Sequence, residues 1–331
     1  MAKRSTLFCS YRHQVLRNWQ STEAVLTKEN FVYPILVHDK PDVEEPLEAL
    51  PALTRYGCNR LEAHVGPLVD KGLTSVLIFG VLQNLSKDVR GSNADSENAP
   101  AVQAIRKLRS AFPNILIIAD VCICSYTSTG HCGICCDNGD IDIDASVKRL
   151  AEISVNFAKA GCDVIAPSSM MDGRVAAIKS ALKENGFGNK IPVLSYSAKF
   201  RSFFYGPFLE ATKSCLPKQD KKMYHLPPAS SGIAHRALKR DIDEGADMLM
   251  VKPSFAYTDI LRDAKTMFPD IPLAVYQVSG EYAMLLKGAE EGLYNLDDGV
   301  LEVMTGLRRA GADIIITYFA PYVLDWLSVK K

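Results

Sequence analysis

The stretch EGADMLMVKP (244–253) carries the reading of the fold. A glycine ends one element, an aspartate follows, and the apolar run MLMV leads without a break into a lysine. The same joint recurs as AGCDVIAP (160–167) and AGADIIIT (310–317). Glycine suits the left-handed position at a helix C-terminus, so each joint reads as a helix handing over to a strand. Working outward, short apolar runs appear in the order FVYPILV (31–37), SVLIFG (75–80), ILIIAD (115–120), DVIAP (163–167), PVLSYS (192–197), DMLMVK (247–252), PLAVYQV (272–278) and DIIITY (313–318). Near-continuous Val, Ile and Leu with little alternation fits strands buried on both faces, as in a parallel sheet covered by helices. Most of the intervening segments have helical spacing. In 145–160, for example, Val147, Leu150, Ile153 or Ser154, and Phe157 fall on one side. Eight serial αβ units predict an α/β fold of the (β/α)8 TIM-barrel type over residues 31–331, with a doubly wound open sheet as its rival.

Residues 1–30 precede the first strand and form an N-terminal arm carrying Leu16 and Trp19 on a short helix. Such an arm either embraces another subunit or caps the barrel bottom. The polar stretch LSKDVRGSNADSENAP (85–100) reads as a long surface loop. The chain has 331 residues, 47% of them hydrophobic, and 38 basic residues balance 38 acidic ones. That balance predicts no nucleic-acid partner and no anionic membrane surface, which leaves small-molecule chemistry. The N-terminal sequence lacks the apolar stretch of about 7–15 residues of a secretory signal, and no run approaches the roughly 20 of a membrane span. A cytosolic protein is expected, with an organellar transit peptide as the alternative because no acidic residue precedes Glu23.

In a closed barrel the active site forms at the C-terminal ends of the strands, so the residues standing there are the candidates. The third run ends in Asp120, the fifth leads to Lys199, and the sixth ends at Lys252. Ser279 follows the seventh and Tyr318 the eighth. After Asp120 the segment VCICSYTSTGHCGICC (121–136) gathers five of the nine cysteines with a histidine. In a reducing compartment such clustering favours a metal over disulfides. On an extended segment Cys122 and Cys124 project from one face, and Cys132 returns across the TSTG turn to give three thiolates with a fourth position open, the layout of a catalytic zinc. His131, Cys135 and Cys136 are each able to supply a fourth ligand. Ordinary reduced thiols or a regulatory disulfide are the plainer explanation.

A lysine ending an apolar strand is held where its charge is costly, and desolvation together with a second cation such as Lys199 lowers its pKa. A neutral amine attacks a ketone to give a Schiff base. The plainer reading is a lysine that snorkels out or pairs with a carboxylate. Neither G-x-G-x-x-G nor a P-loop follows any strand, which argues against nucleotide binding. The aromatic loop RSFFYGPF (201–208) follows Lys199 and reads as a lid, or equally as core packing.

These residues, with the motifs SYSAKF (195–200), APSSMMDGR (166–174), FYGPF (204–208), ADMLMVKP (246–253), YQVSGEYAML (276–285) and AGADIIITYFAP (310–321), resemble the porphobilinogen synthases, also called 5-aminolevulinate dehydratases, of the zinc-dependent animal type. The likeness runs from about residue 11 to the end. It implies a (β/α)8 barrel with an N-terminal arm, a homo-octamer, and condensation of two 5-aminolevulinate molecules to porphobilinogen in heme biosynthesis. Carried over by position, it implies Lys199 and Lys252 as Schiff-base lysines, Asp120 as their acid/base partner, and Cys122, Cys124 and Cys132 as ligands of a catalytic Zn2+. It also implies that Ser279 and Tyr318 bind one substrate carboxylate. Four positions depart from the pattern. Ser169 stands where Asp is usual, Leu209 and Lys221 where arginines would clamp the other carboxylate, and Met223 where a cysteine would join His131 at a second zinc site. Lys222, Lys213 or Arg201 are the candidates to compensate. A diverged, non-catalytic subunit and a class I aldolase-like enzyme are the competing functions.

Overall fold

Eight parallel strands follow one another around a ring in chain order, each lying where the sequence has one of its apolar runs. The computed structural model describes residues 7–48, 50, 52–212 and 220–329. The strands are β1 (Phe31–His38), β2 (Ser75–Val81), β3 (Leu116–Val121), β4 (Val164–Pro167), β5 (Leu194–Lys199), β6 (Met248–Lys252), β7 (Leu273–Tyr276) and β8 (Ile314–Ile316). β8 pairs back onto β1 through Phe31–Ile315 and Val32–Ile316. Between β4 and β5 the ring closes by a single bridge from Ile165 to Val193. Every residue of β1 and β2 is buried, as expected for strands enclosed by helices outside and side chains within. The open sheet is thereby excluded.

The repeated glycine–aspartate joint has a common mechanical role. Gly161, Gly245 and Gly311 take φ values of 107°, 96° and 121°, which a side chain would strain. The aspartate two residues on then exchanges hydrogen bonds with the start of the preceding strand. Asp163 accepts from the Ile117 amide at 2.7 Å and donates its own amide to the Ile117 carbonyl at 2.8 Å. Asp247 does the same with Val193 (2.7 and 3.0 Å), and Asp313 with Leu273 (2.9 and 2.7 Å). A basic residue on the helix that leads into that preceding strand, Arg109, Lys179 or Lys265, neutralises each carboxylate. The motif thus sets strand register at the barrel bottom and leaves the top free for chemistry.

At the top, β5 carries one residue more than β6 across their pairing. Leu249 lies opposite Ser195, yet Val251 lies opposite Ala198, so Lys252 meets Lys199. In regular register Lys252 would oppose Ala198, and Lys199 would point to the other face. Bulges beside active sites commonly re-aim a side chain in this way.

Two surface segments support the mouth. The loop 85–100 is bound to the cysteine loop through the Ser128 amide and Asp88 carbonyl at 2.9 Å, and Arg149 ties it down through Asp95. The short hairpin of Glu44–Pro46 and Thr54–Gly57 holds buried Arg55, which donates to Glu45 at 2.6 Å and to the carbonyl of Ala211. In the arm, the predicted helix is Gln14–Trp19 and none of its residues is buried. Residues 25–30 reach the barrel bottom, where Asn30 donates to the Asp313 carbonyl at 3.0 Å. Among the described residues no helix is long and apolar enough to cross a membrane.

Candidate active site

Both strand-end lysines open into one cavity, about 590 Å³ when the open space at its mouth is counted. Tyr205 and Phe208 of the aromatic loop line it, with Leu209 beside them. Lys199 donates to the Ser168 carbonyl at 2.6 Å. Lys252 has its ammonium nitrogen 3.8 Å from the Tyr276 ring centre, with Tyr196, Tyr205 and Phe208 also around it. Burial, then the charge of Lys199, pushes the Lys252 pKa well below its ordinary value, which leaves a reactive neutral amine.

Asp120, at the mouth beside them, has its Oδ1 enclosed without a hydrogen-bond partner. Burial raises its pKa to about 6, against the opposing pull of the Ser168 hydroxyl and the two lysines. The forms wanted for proton abstraction and amine attack are both deprotonated, so activity should climb as pH rises through about 6. The stability effect has the opposite sign. The folded pKa lies above the free value of 3.8, so the unfolded chain ionises first and stability falls between about pH 4 and 6. Asp120→Asn should therefore be more stable than the parent by about 1–2 kcal/mol at pH 7, allowing for its contact with the open cavity, and lose that advantage near pH 4. Thermal unfolding at the two pH values checks this, and equal stability at pH 7 would refute it.

The sulfurs of Cys122, Cys124 and Cys132 all lie within 4.8 Å of one another. The expected extended segment is not what joins them. β3 stops at Val121 and the chain turns, with the Tyr126 and Thr127 amides donating to the Ile123 carbonyl at 2.9 and 2.8 Å. The turn, rather than strand alternation, brings the Cys122 and Cys124 sulfurs to 3.3 Å. Cys132 is fixed by its amide on the Tyr224 hydroxyl at 3.3 Å and by Ser169, which donates to its carbonyl at 3.1 Å. Hydrogen bonds from Cys122 and Cys124 hold the Cys132 pKa well below a free thiol, while those contacts and burial raise that of Cys122. Three sulfurs this close, which give up their protons when a metal binds, are a donor set a soft or borderline divalent metal fits.

His131 is not brought to the sulfurs. Its Nδ1 lies 3.3 Å from the Tyr224 hydroxyl, and its ring packs against the edge of Tyr224. Cys135 contacts Thr129 and Cys136 is exposed, so neither joins the group. Ser279 and Tyr318 also stand back from the lining. The Ser279 hydroxyl accepts from the Phe208 amide at 3.1 Å, and Tyr318 lies 3.4 Å from the Tyr276 hydroxyl, behind Lys252. Leu209 and Lys221 do line the cavity. Burial opposes a charge on Lys221, but the Cys124, Cys132 and Cys122 sulfurs outweigh it and hold the lysine cationic. Of the residues expected to compensate, Lys222 and Arg201 are outside the lining and Lys213 lies outside the described residues. Ser169 is fully buried against the cysteine loop, and Ser168 faces the lysines instead. Sequence reasoning missed His225, a buried lining residue beside Cys132 whose Nε2 has no partner and whose pKa burial lowers to about 4. No periodicity in KKMYHLPP marks it.

A family model described as delta-aminolevulinic acid dehydratase matches residues 6–326. The delta-aminolevulinic acid dehydratase of Bos taurus is 54% identical over 328 residues, covering 99% of this chain and 100% of that protein. That of Eremothecium gossypii is 48% identical over 325 residues, covering 98% and 95%. A crystal structure of delta-aminolevulinic acid dehydratase (porphobilinogen synthase) from Toxoplasma gondii ME49, in complex with the reaction product porphobilinogen, superposes with a TM-score of 0.93 at 35% identity, covering 98% of this chain and 92% of that one.

Proposed function

We infer the function from a single premise: this chain belongs to the delta-aminolevulinic acid dehydratase family. It is a lyase that condenses two 5-aminolevulinate molecules to porphobilinogen with loss of two waters, a step of porphyrin biosynthesis. The observation that carries the assignment to this chain's own residues is the meeting of Lys252, Lys199, Asp120, Cys122 and Cys124 in one cavity, with the Cys132 sulfur within 4.8 Å of the other two.

Lys252, neutral because it is dry and beside a second cation, is proposed to attack a substrate ketone and expel its oxygen as water, with Lys199 as the second Schiff-base lysine. Asp120 accepts and returns the protons these steps release, its pKa near 6 suiting both directions. Cys122, Cys124 and Cys132 would hold zinc, which when bound supplies a Lewis acid and keeps a substrate amino group unprotonated. Ser279 and Tyr318 stand behind the lining, so we assign them to one substrate carboxylate only once the lid has shifted. Incubation of the full chain with 5-aminolevulinate and assay for pyrrole tests the reading. A diverged, non-catalytic subunit is the reading Leu209 favours, and it predicts no pyrrole at any substrate concentration.

For the second carboxylate the cavity lining offers Lys221 and His225 but no arginine. A charge-assisted hydrogen bond is worth about 1.5–3 kcal/mol, and lysine offers only a point charge. Leu209→Arg with Lys221→Arg should lower KM by about 10-fold or more. An unchanged KM would place the clamp elsewhere.

We also propose that the arm serves subunit contacts in a homo-octamer, since its Leu7 and Trp19 are 71% and 69% exposed. A cytosolic location is proposed alongside.

A further inference from the structure

Glu281 is a fully buried carboxylate outside the cavity, and no role has been assigned to it so far. Its Oε1 accepts from the Ser254 amide at 3.0 Å and the Phe255 amide at 2.6 Å. Its Oε2 accepts from the Ser254 hydroxyl at 2.9 Å and the Val278 amide at 2.8 Å. Ser254 and Phe255 follow Lys252 after the single residue Pro253, and Val278 precedes Ser279. The carboxylate therefore joins the loop after β6 to the loop after β7. Ser279 carries the connection to the lid, accepting from the Phe208 amide and donating to the Phe204 carbonyl at 3.3 Å. Gly280 lets the two approach: a Cβ there would stand 2.6 Å from the Phe204 carbonyl oxygen.

Four donors aimed at two oxygens favour the ionised carboxylate, against the burial that pushes its pKa up. A purely structural helix cap would bind its own helix's amides. This one spends three of its four donors on the segment behind Lys252. We propose that Glu281 is the positioning residue of this active site, fixing the loop after Lys252 and the lid in one frame so that the amine stands at the substrate ketone. The proposal rests on Lys252 as the imine-forming lysine. Glu281 touches no substrate and acts through Lys252 and Ser279. A displacement of about 1 Å at a reacting group costs on the order of 100-fold in rate.

The test compares the full-length parent with Glu281→Gln, which keeps the shape but turns one oxygen into an NH2 that confronts N–H donors. The measurements are thermal unfolding, kcat and KM with 5-aminolevulinate, and the rate of borohydride trapping at Lys252 followed by peptide mass mapping. We expect a folded variant with kcat and the Lys252 trapping rate both down about 10- to 100-fold and KM within about threefold. A variant that is less stable but traps and turns over within twofold of the parent overturns the proposal. If Glu281→Gln does not fold, Ser254→Ala removes one donor and should slow trapping about threefold to tenfold. Unchanged trapping in that variant overturns the proposal equally. A parent that forms no adduct at Lys252 overturns the underlying reading, which is a separate outcome from a parent that traps beside a variant that traps as fast.

Discussion

Lys252→Met abolishes turnover, by on the order of 10⁴-fold or more, in a chain that still folds. Methionine keeps the length and the apolar contact with the Tyr276 ring, where the lysine nitrogen sits 3.8 Å from the ring centre. What it removes is an amine held neutral by burial and by Lys199, its direct partner across the strand pair. Taking that amine out of a dry wall costs no packing, so unfolding cannot explain the loss, and thermal unfolding should move little or rise. In the parent, borohydride with 5-aminolevulinate should leave an adduct on Lys252 or Lys199, located by peptide mass mapping. Mapping that finds neither lysine modified, with metal supplied and the protein folded, removes Schiff-base chemistry from this chain.

The barrel was legible because its strands are buried on both faces, so their apolar runs need no alternation to be seen, and because one glycine–aspartate joint repeats three times. The reason for the aspartate was not legible. Asp163, Asp247 and Asp313 each serve a strand earlier in the chain, a long-range contact that local pattern does not encode. The same limit applies at the site. Lys199 and Lys252 could be named as strand-end residues, yet their meeting depends on an extra residue in β5 that SYSAKF does not announce. Cys122, Cys124 and Cys132 were readable by spacing, although a turn performs what strand alternation was expected to do. His131 shares the same loop and faces Tyr224, because the direction of a ring is set by packing. His225 and Glu281 reach the site through tertiary contacts alone.

Cys124→Ala is the counterpart experiment on the metal, and its effect should also be large while leaving a different trace. Cys122 and Cys132 are buried in the core, whereas Cys124 only packs against its edge, so of the three its loss removes the least core. With two thiols left, no tridentate site remains, and a metal that copurifies with the parent should be absent from the variant by elemental analysis. Porphobilinogen formation should fall by at least about 100-fold. Stability without metal should change by no more than about 1 kcal/mol, because Cys124 is only half-buried. Cys136→Ala is the control: that thiol is exposed and outside the sulfur group, so metal content and rate should equal the parent's. The lysine chemistry separates the two roles further. Because Lys252 owes its neutrality first to burial and Lys199, Cys124→Ala should still trap a 5-aminolevulinate adduct under borohydride even though the second substrate is not joined to it. Full turnover of Cys124→Ala in the presence of a chelator would remove the metal from the reaction, and loss of the Lys252 adduct would show that the sulfurs shape the lysine pocket itself.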